Sequence, residues 1–194
     1  MEVLLALTGK DFVLTASNKA FVRGISVLKT TDDKSRTLSP HNLMLFSGEA
    51  GDTVNFAEFI QANMQLYGMQ NNCELDPKAT ASFVRRELAD SLRSRKPYQV
   101  NLLLAGFDTR TSEPHLYWLD YLAAQATVPY AAHGYGAYYC LSIFDRYHRS
   151  DISLEEALDI MGKAVAEVEK RMPMDLKGFL LKVVDKDGVR ELEA

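Results

Sequence analysis

The apolar residues of this chain switch between strand and helix periodicity in long blocks, and that sequence of blocks limits the available folds more than any compositional figure. Residues 2–8 and 12–17 are short apolar runs on either side of Gly9-Lys10-Asp11, a hairpin pattern whose first strand begins almost at the first residue. Another extended piece, residues 25–28, precedes the charged loop Asp32-Asp33-Lys34-Ser35-Arg36, and Leu43 to Phe46 reads as a further strand. After Asp52 the spacing becomes helical, with Phe56, Phe59, Ile60, Met64 and Tyr67 on one stripe. Asp76 followed by Pro77 is a cap and a favoured first helical residue, so a second helix comes next. Its stripe is Val84, Leu88 and Leu92, and Pro97 stops it.

The same succession then repeats. Residues 98–107 and 115–122 form strand patterns around a polar turn at 108–114, and a shorter strand is expected within 123–128. Gly134-Tyr135-Gly136 introduces a helix over 136–148. Ser153 with Glu156 forms a capping box for another, whose stripe is Leu154, Leu158, Met161, Val165 and Val168 and whose end is Pro173. Residues 179–184 and 189–192 close the chain as a hairpin about Asp187-Gly188. Strands, two helices, strands, two helices, strands: this order predicts an α+β fold, a four-layer αββα sandwich of two antiparallel sheets, each covered by a helix pair. A chain of 194 residues is expected to form one domain over 1–194 and to bury about 70% of its unfolded surface.

Charge and motifs narrow the function. A net charge of −4 argues against nucleic acid, which requires a basic footprint. The densest basic segment, Arg85, Arg86, Arg93, Arg95 and Lys96, reads as a solvated helix face, with contact to a partner as the alternative. Cys73 and Cys140 are not spaced as metal ligands and read as two thiols in a reducing compartment, with a disulfide left open. The start Met1-Glu2-Val3-Leu4-Leu5 lacks the basic region of a signal peptide, and no apolar run is long enough to span a membrane, so a soluble cytosolic or nuclear protein is expected. Gly-x-Ser-x-Gly, Walker-type and His-Glu-x-x-His motifs are lacking. His41, His115, His133 and His148 read as core, turn or surface residues, so no metal and no cofactor are expected.

One constellation carries chemical meaning. In Leu43 to Asp52 an apolar run breaks on Gly48 and Gly51 before a helix, a construction that gathers backbone N–H groups where an oxyanion could sit. With a strand at the first residue, a second ending near residue 17 and a charged loop at 32–36, it resembles the arrangement of N-terminal nucleophile hydrolases, in which the first residue attacks. Gly48-Glu49-Ala50-Gly51-Asp52-Thr53 and Phe56 to Asn63 are similar to segments of the proteasome beta-type subunits, as are Arg93 to Leu102, Leu119 to Leu122 and His133 to Gly136. Glu169 to Asp175 and Val184 to Gly188 extend the likeness to the end of the chain, which resembles the branch at the fourth position of the eukaryotic beta ring in its fungal form.

The resemblance implies a cytoplasmic and nuclear core particle, a hetero-oligomeric stack of four seven-membered rings of alpha and beta subunits that degrades unfolded proteins, including ubiquitin-dependent substrates. It also allows the family's site to be traced. Met1 stands where active members have a threonine freed from a propeptide; no propeptide is expected to be removed here, and a thioether cannot form the acyl intermediate. Ser17 stands in place of the aspartate, Lys34 is the counterpart of the lysine across a one-residue insertion, Gly48 is the oxyanion-turn glycine, and Tyr135 replaces a serine between glycines. A non-catalytic structural subunit is the reading implied. Its alternatives are an active threonine peptidase after internal cleavage, for instance at Thr8, and a stand-alone homo-oligomeric chamber. By the same resemblance helices 52–69 and 77–95 face the alpha ring, and helices 136–148 and 153–170 face the opposing beta ring. Tyr138, Tyr139, Phe144, Arg146 and Tyr147 are then interface candidates, with the chain's own core the alternative for several, above all Tyr138 and Phe144.

Overall fold

Where a strand is buried on both faces its sequence reads as a continuous apolar run, and the two sides separate only in three dimensions. The computed structural model describes residues 2–24 and 26–192. Strands β1 (Val3–Thr8) and β2 (Phe12–Asn18) are such runs, every residue but Thr8 being buried. Val3, Leu5, Leu7, Phe12, Leu14 and Ala16 join one apolar cluster, while the alternate residues Leu4, Ala6 and Val13 join another. A slip of one residue would exchange the two sets, so the hairpin register Leu4↔Ser17 to Thr8↔Val13 is strongly specified.

The chain continues through β3 (Phe21–Arg23), β4 (Ser26–Lys29), β5 (Ser35–Ser39) and β6 (Asn42–Gly48) to helices α1 (Asp52–Asn71) and α2 (Pro77–Ser91). β7 (Val100–Asp108), β8 (Glu113–Leu119), β9 (Gln125–Thr127) and β10 (Tyr130–Gly134) follow, then α3 (Gly136–Tyr147), α4 (Leu154–Arg171), β11 (Phe179–Asp185) and β12 (Gly188–Leu192). Two five-stranded antiparallel sheets result, in the orders β10-β1-β2-β11-β12 and β5-β6-β7-β8-β9, and β3 pairs with β4 in a separate ribbon.

Three apolar clusters hold these elements together. Phe144, Ile160, Met161, Ala164 and Val168 of α3 and α4 pack on one side of the first sheet. Phe56, Ile60, Met64, Val84 and Leu88 of α1 and α2 pack on Met44, Phe46, Leu102 and Leu104 of the second. Leu4, Ala6, Val13, Leu43, Leu45, Leu103, Ala105 and Val184 form the third cluster, which joins strands of the two sheets.

Local signals explain the helix starts. The Asp76 side chain accepts from Ala79 N–H at 2.7 Å, with Pro77 as first helical residue. At α4, Ser153 Oγ accepts from Glu156 N–H while the Glu156 carboxylate accepts from Ser153 N–H. The polar segment 32–36 is not loop throughout: from Ser35 it pairs with β6 as an edge strand. The short strands β3 and β10 also carried no recognisable sequence pattern, and β7 begins at Val100, two residues later than expected. In α4 the buried positions are Ala157, Ile160, Met161, Ala164 and Val168, so the stripe is rotated from the expected one and Leu154, Leu158 and Val165 sit at its margin.

Candidate functional site

β6 ends at Gly48 for a steric reason. Its φ is +144°, and a Cβ there would lie 2.0 Å from the Gln99 carbonyl oxygen. The backbone comes this close because Glu49 N–H donates to that carbonyl at 2.9 Å. Gly134 makes the matching approach on the other sheet, with φ +77° and a would-be Cβ 2.0 Å from Glu2 O. Between the two turns lies a cleft of about 710 Å³ lined by residues that include Glu2, Arg23, Leu28, Gly48, Glu49 and Tyr135.

The Gly48 N–H already has an acceptor: Glu2 Oε2, at 2.8 Å. Burial pushes the Glu2 carboxyl above its ordinary value, and the bond from Gly48 and the charge of Lys34 only partly offset this. The amide gathered by the turn is thus occupied by a carboxylate of the same chain. Nothing in the sequence reading singled out Glu2, because its partner is forty-six residues away.

Lys34 lies inside the molecule, its side chain 1% exposed. Its Nζ donates to Asn18 O at 2.8 Å and Ala20 O at 2.9 Å, and Asp32 Oδ2 stands 3.2 Å away. An ammonium has three donors, and three oxygens surround this one. Ser17 is buried in β2, in register with Leu4 and Leu180, and places no carboxylate beside the lysine. Asn18 does organising work there instead: its Oδ1 accepts from Val3 N–H at 2.9 Å, and its Nδ2 donates to Ala20 O at 3.2 Å. Met1, the expected counterpart of the nucleophile, lies outside the described residues.

Tyr135 is 56% exposed on the cleft lining, at the head of α3. Beneath it, His133 is buried; its Nε2 bonds to Leu102 O at 3.0 Å and its ring stacks on Trp118 at 5.1 Å. Burial holds this imidazole below the usual histidine value. Beside the lysine, burial pushes the Asp33 carboxyl up, but bonds from Lys182 at 2.6 Å and Ser35 outweigh it and hold it below the ordinary carboxylate value. Among the described residues, no group of three or more His, Cys, Asp and Glu side chains is placed to hold a metal ion.

The structure separates the aromatic candidates of α3. Phe144 is fully buried, its ring 5.9 Å from that of Tyr130, so it belongs to the chain's own core and offers no surface. Tyr139 packs against the same core with part of its surface open. Tyr138 is 83% exposed. Tyr147 is exposed between two cations, with Arg146 Cζ at 5.3 Å and Lys163 Nζ at 4.9 Å from its ring centre.

Residues 2–184 match the protein family described as "Proteasome subunit". The chain is 62% identical over 192 residues to "Probable proteasome subunit beta type-4" of Schizosaccharomyces pombe, covering 99% of both chains. It is 58% identical over 193 residues to the protein of the same description from Neurospora crassa, covering all of this chain and 95% of that one. Identity to "Proteasome subunit beta type-4" of Saccharomyces cerevisiae is 54% over 193 residues, all of this chain and 98% of the relative.

Proposed function

The chain belongs to the proteasome beta subunit family, and on that premise we propose that it is a non-catalytic structural member of the core particle. It completes the beta ring at the fourth position and forms part of the wall of the degradation chamber for ubiquitin-dependent and other intracellular proteolysis, in the cytoplasm and nucleus. Its single domain has the four-layer αββα order of N-terminal nucleophile hydrolases. The first helix pair faces the alpha ring. The second pair faces the opposing beta ring and carries Tyr138, Tyr139, Arg146 and Tyr147.

One observation carries this reading: Lys34 and Gly48, two residues that correspond to the family's active site, are already engaged by other groups of the same chain. Lys34 donates to Asn18 O and Ala20 O and has the Asp32 carboxylate 3.2 Å from its amine, so two of its three donors are already used within the chain. The Gly48 amide, which an oxyanion would need, is held by Glu2. Ser17 offers no carboxylate to reorient the lysine. These contacts favour a structural role for the site.

The test is to expose the purified core particle to an electrophilic peptide inhibitor and locate the adducts by mass spectrometry. Adducts are expected on other subunits only; a covalent adduct on this chain would refute the proposal and favour the threonine-peptidase reading. Native mass measurement of the chain expressed alone tests the homo-oligomeric chamber, for which a defined ring is the required result.

A further inference from the structure

Although the chain carries a net charge of −4, Arg85, Arg86, Arg93, Arg95 and Lys96 lie within twelve residues, opposed locally only by Glu87 and Asp90. In the fold they occupy the exposed end of α2 and the loop to β7, where Arg93, Ser94, Arg95 and Lys96 are all exposed. Arg85 turns to the Ala123 carbonyl, Arg86 is 3.9 Å from Asp90, and Lys96 is 3.5 Å from Asp52. Arg93 and Arg95 have no carboxylate partner among the described residues, in contrast to Lys163, Arg171, Lys177 and Arg190, each beside an acidic side chain.

The loop's position gives this charge a role. Lys96 reaches Asp52, Gln99 N–H donates to Asp52 Oδ2 at 3.2 Å, and Glu49 N–H donates to Gln99 O at 2.9 Å. These contacts tie the loop to the turn that borders the cleft at Gly48 and Glu49. The surroundings also limit the kind of partner. Among the described residues no large apolar side chain of the loop is exposed, the nearest along its contacts being Val54, beyond Asp52, and Tyr121 and Leu122, before Ala123. A permanent interface needs a dry apolar centre, and the loop itself offers none. What it offers is long, solvated cations suited to a brief, charge-steered and sequence-tolerant contact.

We infer that the Arg93–Lys96 loop is a docking surface for acidic stretches of unfolded polypeptide passing the neighbouring cleft. The inference rests on the chamber-wall reading above. In the assembled particle, R93A/R95A in this chain is compared with wild type on two unfolded substrates of equal length, one with Glu-rich tracts and one with Gln in their place. The variant's kcat/KM for the Glu-rich substrate is expected to fall about threefold to tenfold at about 50 mM salt, with the loss fading toward about 200 mM as screening shortens to within a nanometre. The Gln substrate is unaffected, and R93E/R95E deepens the loss.

Equal effects on both substrates, or none, overturn the inference. So does a defect in assembly with unchanged substrate discrimination, which would put a neighbouring subunit on the loop. Titrating the full-length chain with a fluorescent polyglutamate peptide separates this inference from the reading beneath it. Failure of the chain to co-purify with the core particle removes the chamber-wall reading, whereas failure of an incorporated chain to discriminate the substrates, with no peptide binding, removes the docking surface alone.

Discussion

Replacing Lys34 with methionine distinguishes a structural lysine from a chemical one. Methionine retains most of the side-chain volume and removes the amine with its bonds to Asn18 O and Ala20 O and its pairing with Asp32. Hydrogen bonds to a charged group contribute roughly 1.5–3 kcal/mol each, so the two carbonyl bonds represent about 3–6 kcal/mol gross. Two effects reduce that figure. Ala20 O keeps its bond from Asn18 Nδ2 at 3.2 Å, and an ammonium no longer has to be desolvated in a site that is 1% exposed. The expected net destabilisation is about 2–4 kcal/mol, which lowers the melting temperature of a chain this size by about 4–16 °C. That lies within the roughly 5–15 kcal/mol available to a typical domain, so the variant folds. Lys34→Ala adds an unfilled cavity, costing about 2 kcal/mol more. The assays are thermal unfolding of the full-length chain and peptide hydrolysis per assembled particle. A lower melting temperature with unchanged hydrolysis per particle is the expected pair of results. Loss of one peptidase activity, with a melting temperature within about 1 °C of wild type, would refute the reasoning and assign the lysine to chemistry.

Other expectations follow from the same site and its surroundings. Gly48→Ala forces a Cβ to within 2.0 Å of the Gln99 carbonyl at a φ of +144°, and is expected to cost at least about 3 kcal/mol in denaturant unfolding. A variant as stable as wild type would show that the turn is not clamped by β7. Glu2 and Asp33 are expected to shape the pH dependence in opposite senses. Because the folded Glu2 carboxyl is raised from 4.5, its stabilising contribution is present below that value and is lost as pH rises through the folded one. E2Q should therefore gain stability relative to wild type as pH rises above about 4.5. Asp33, lowered from 3.8, contributes above that value and loses its contribution as pH falls through the folded one, so D33N should be least stable relative to wild type near neutrality. Melting curves against pH check both signs. Finally, Cys73 is exposed while Cys140 is buried, its thiol pushed up to about 12 by burial. Native alkylation should label Cys73 alone, and rapid labelling of Cys140 would mean that the α3–α4 packing opens readily.

Much of this architecture was legible from local signals. The Asp76-Pro77 start, the Ser153–Glu156 capping box and the Asp187-Gly188 hairpin each rest on contacts within a few residues, and each appears where its pattern predicts. β5, β3 and β10 were not legible, because a short or polar strand is set by the partner it pairs with. The core identity of Phe144 was equally hidden. An aromatic at helical spacing has the same pattern whether it faces its own sheet or another subunit, and only packing against Tyr130 and the first sheet distinguishes the two.

The sequence by itself determined the order of the four helices and the longer strands, the glycines at positions 48 and 134, the family likeness, and the absence of a carboxylate at Ser17. These depend on residue identity and near-neighbour spacing. The tertiary structure alone decided what became of the remaining groups: that Lys34 is enclosed by Asn18 O, Ala20 O and Asp32, and that the Gly48 amide is bonded to Glu2. Those contacts join residues up to forty-six positions apart. They exist because two sheets pack the ends of β1, β2 and β6 together, a juxtaposition that no local pattern along the chain encodes.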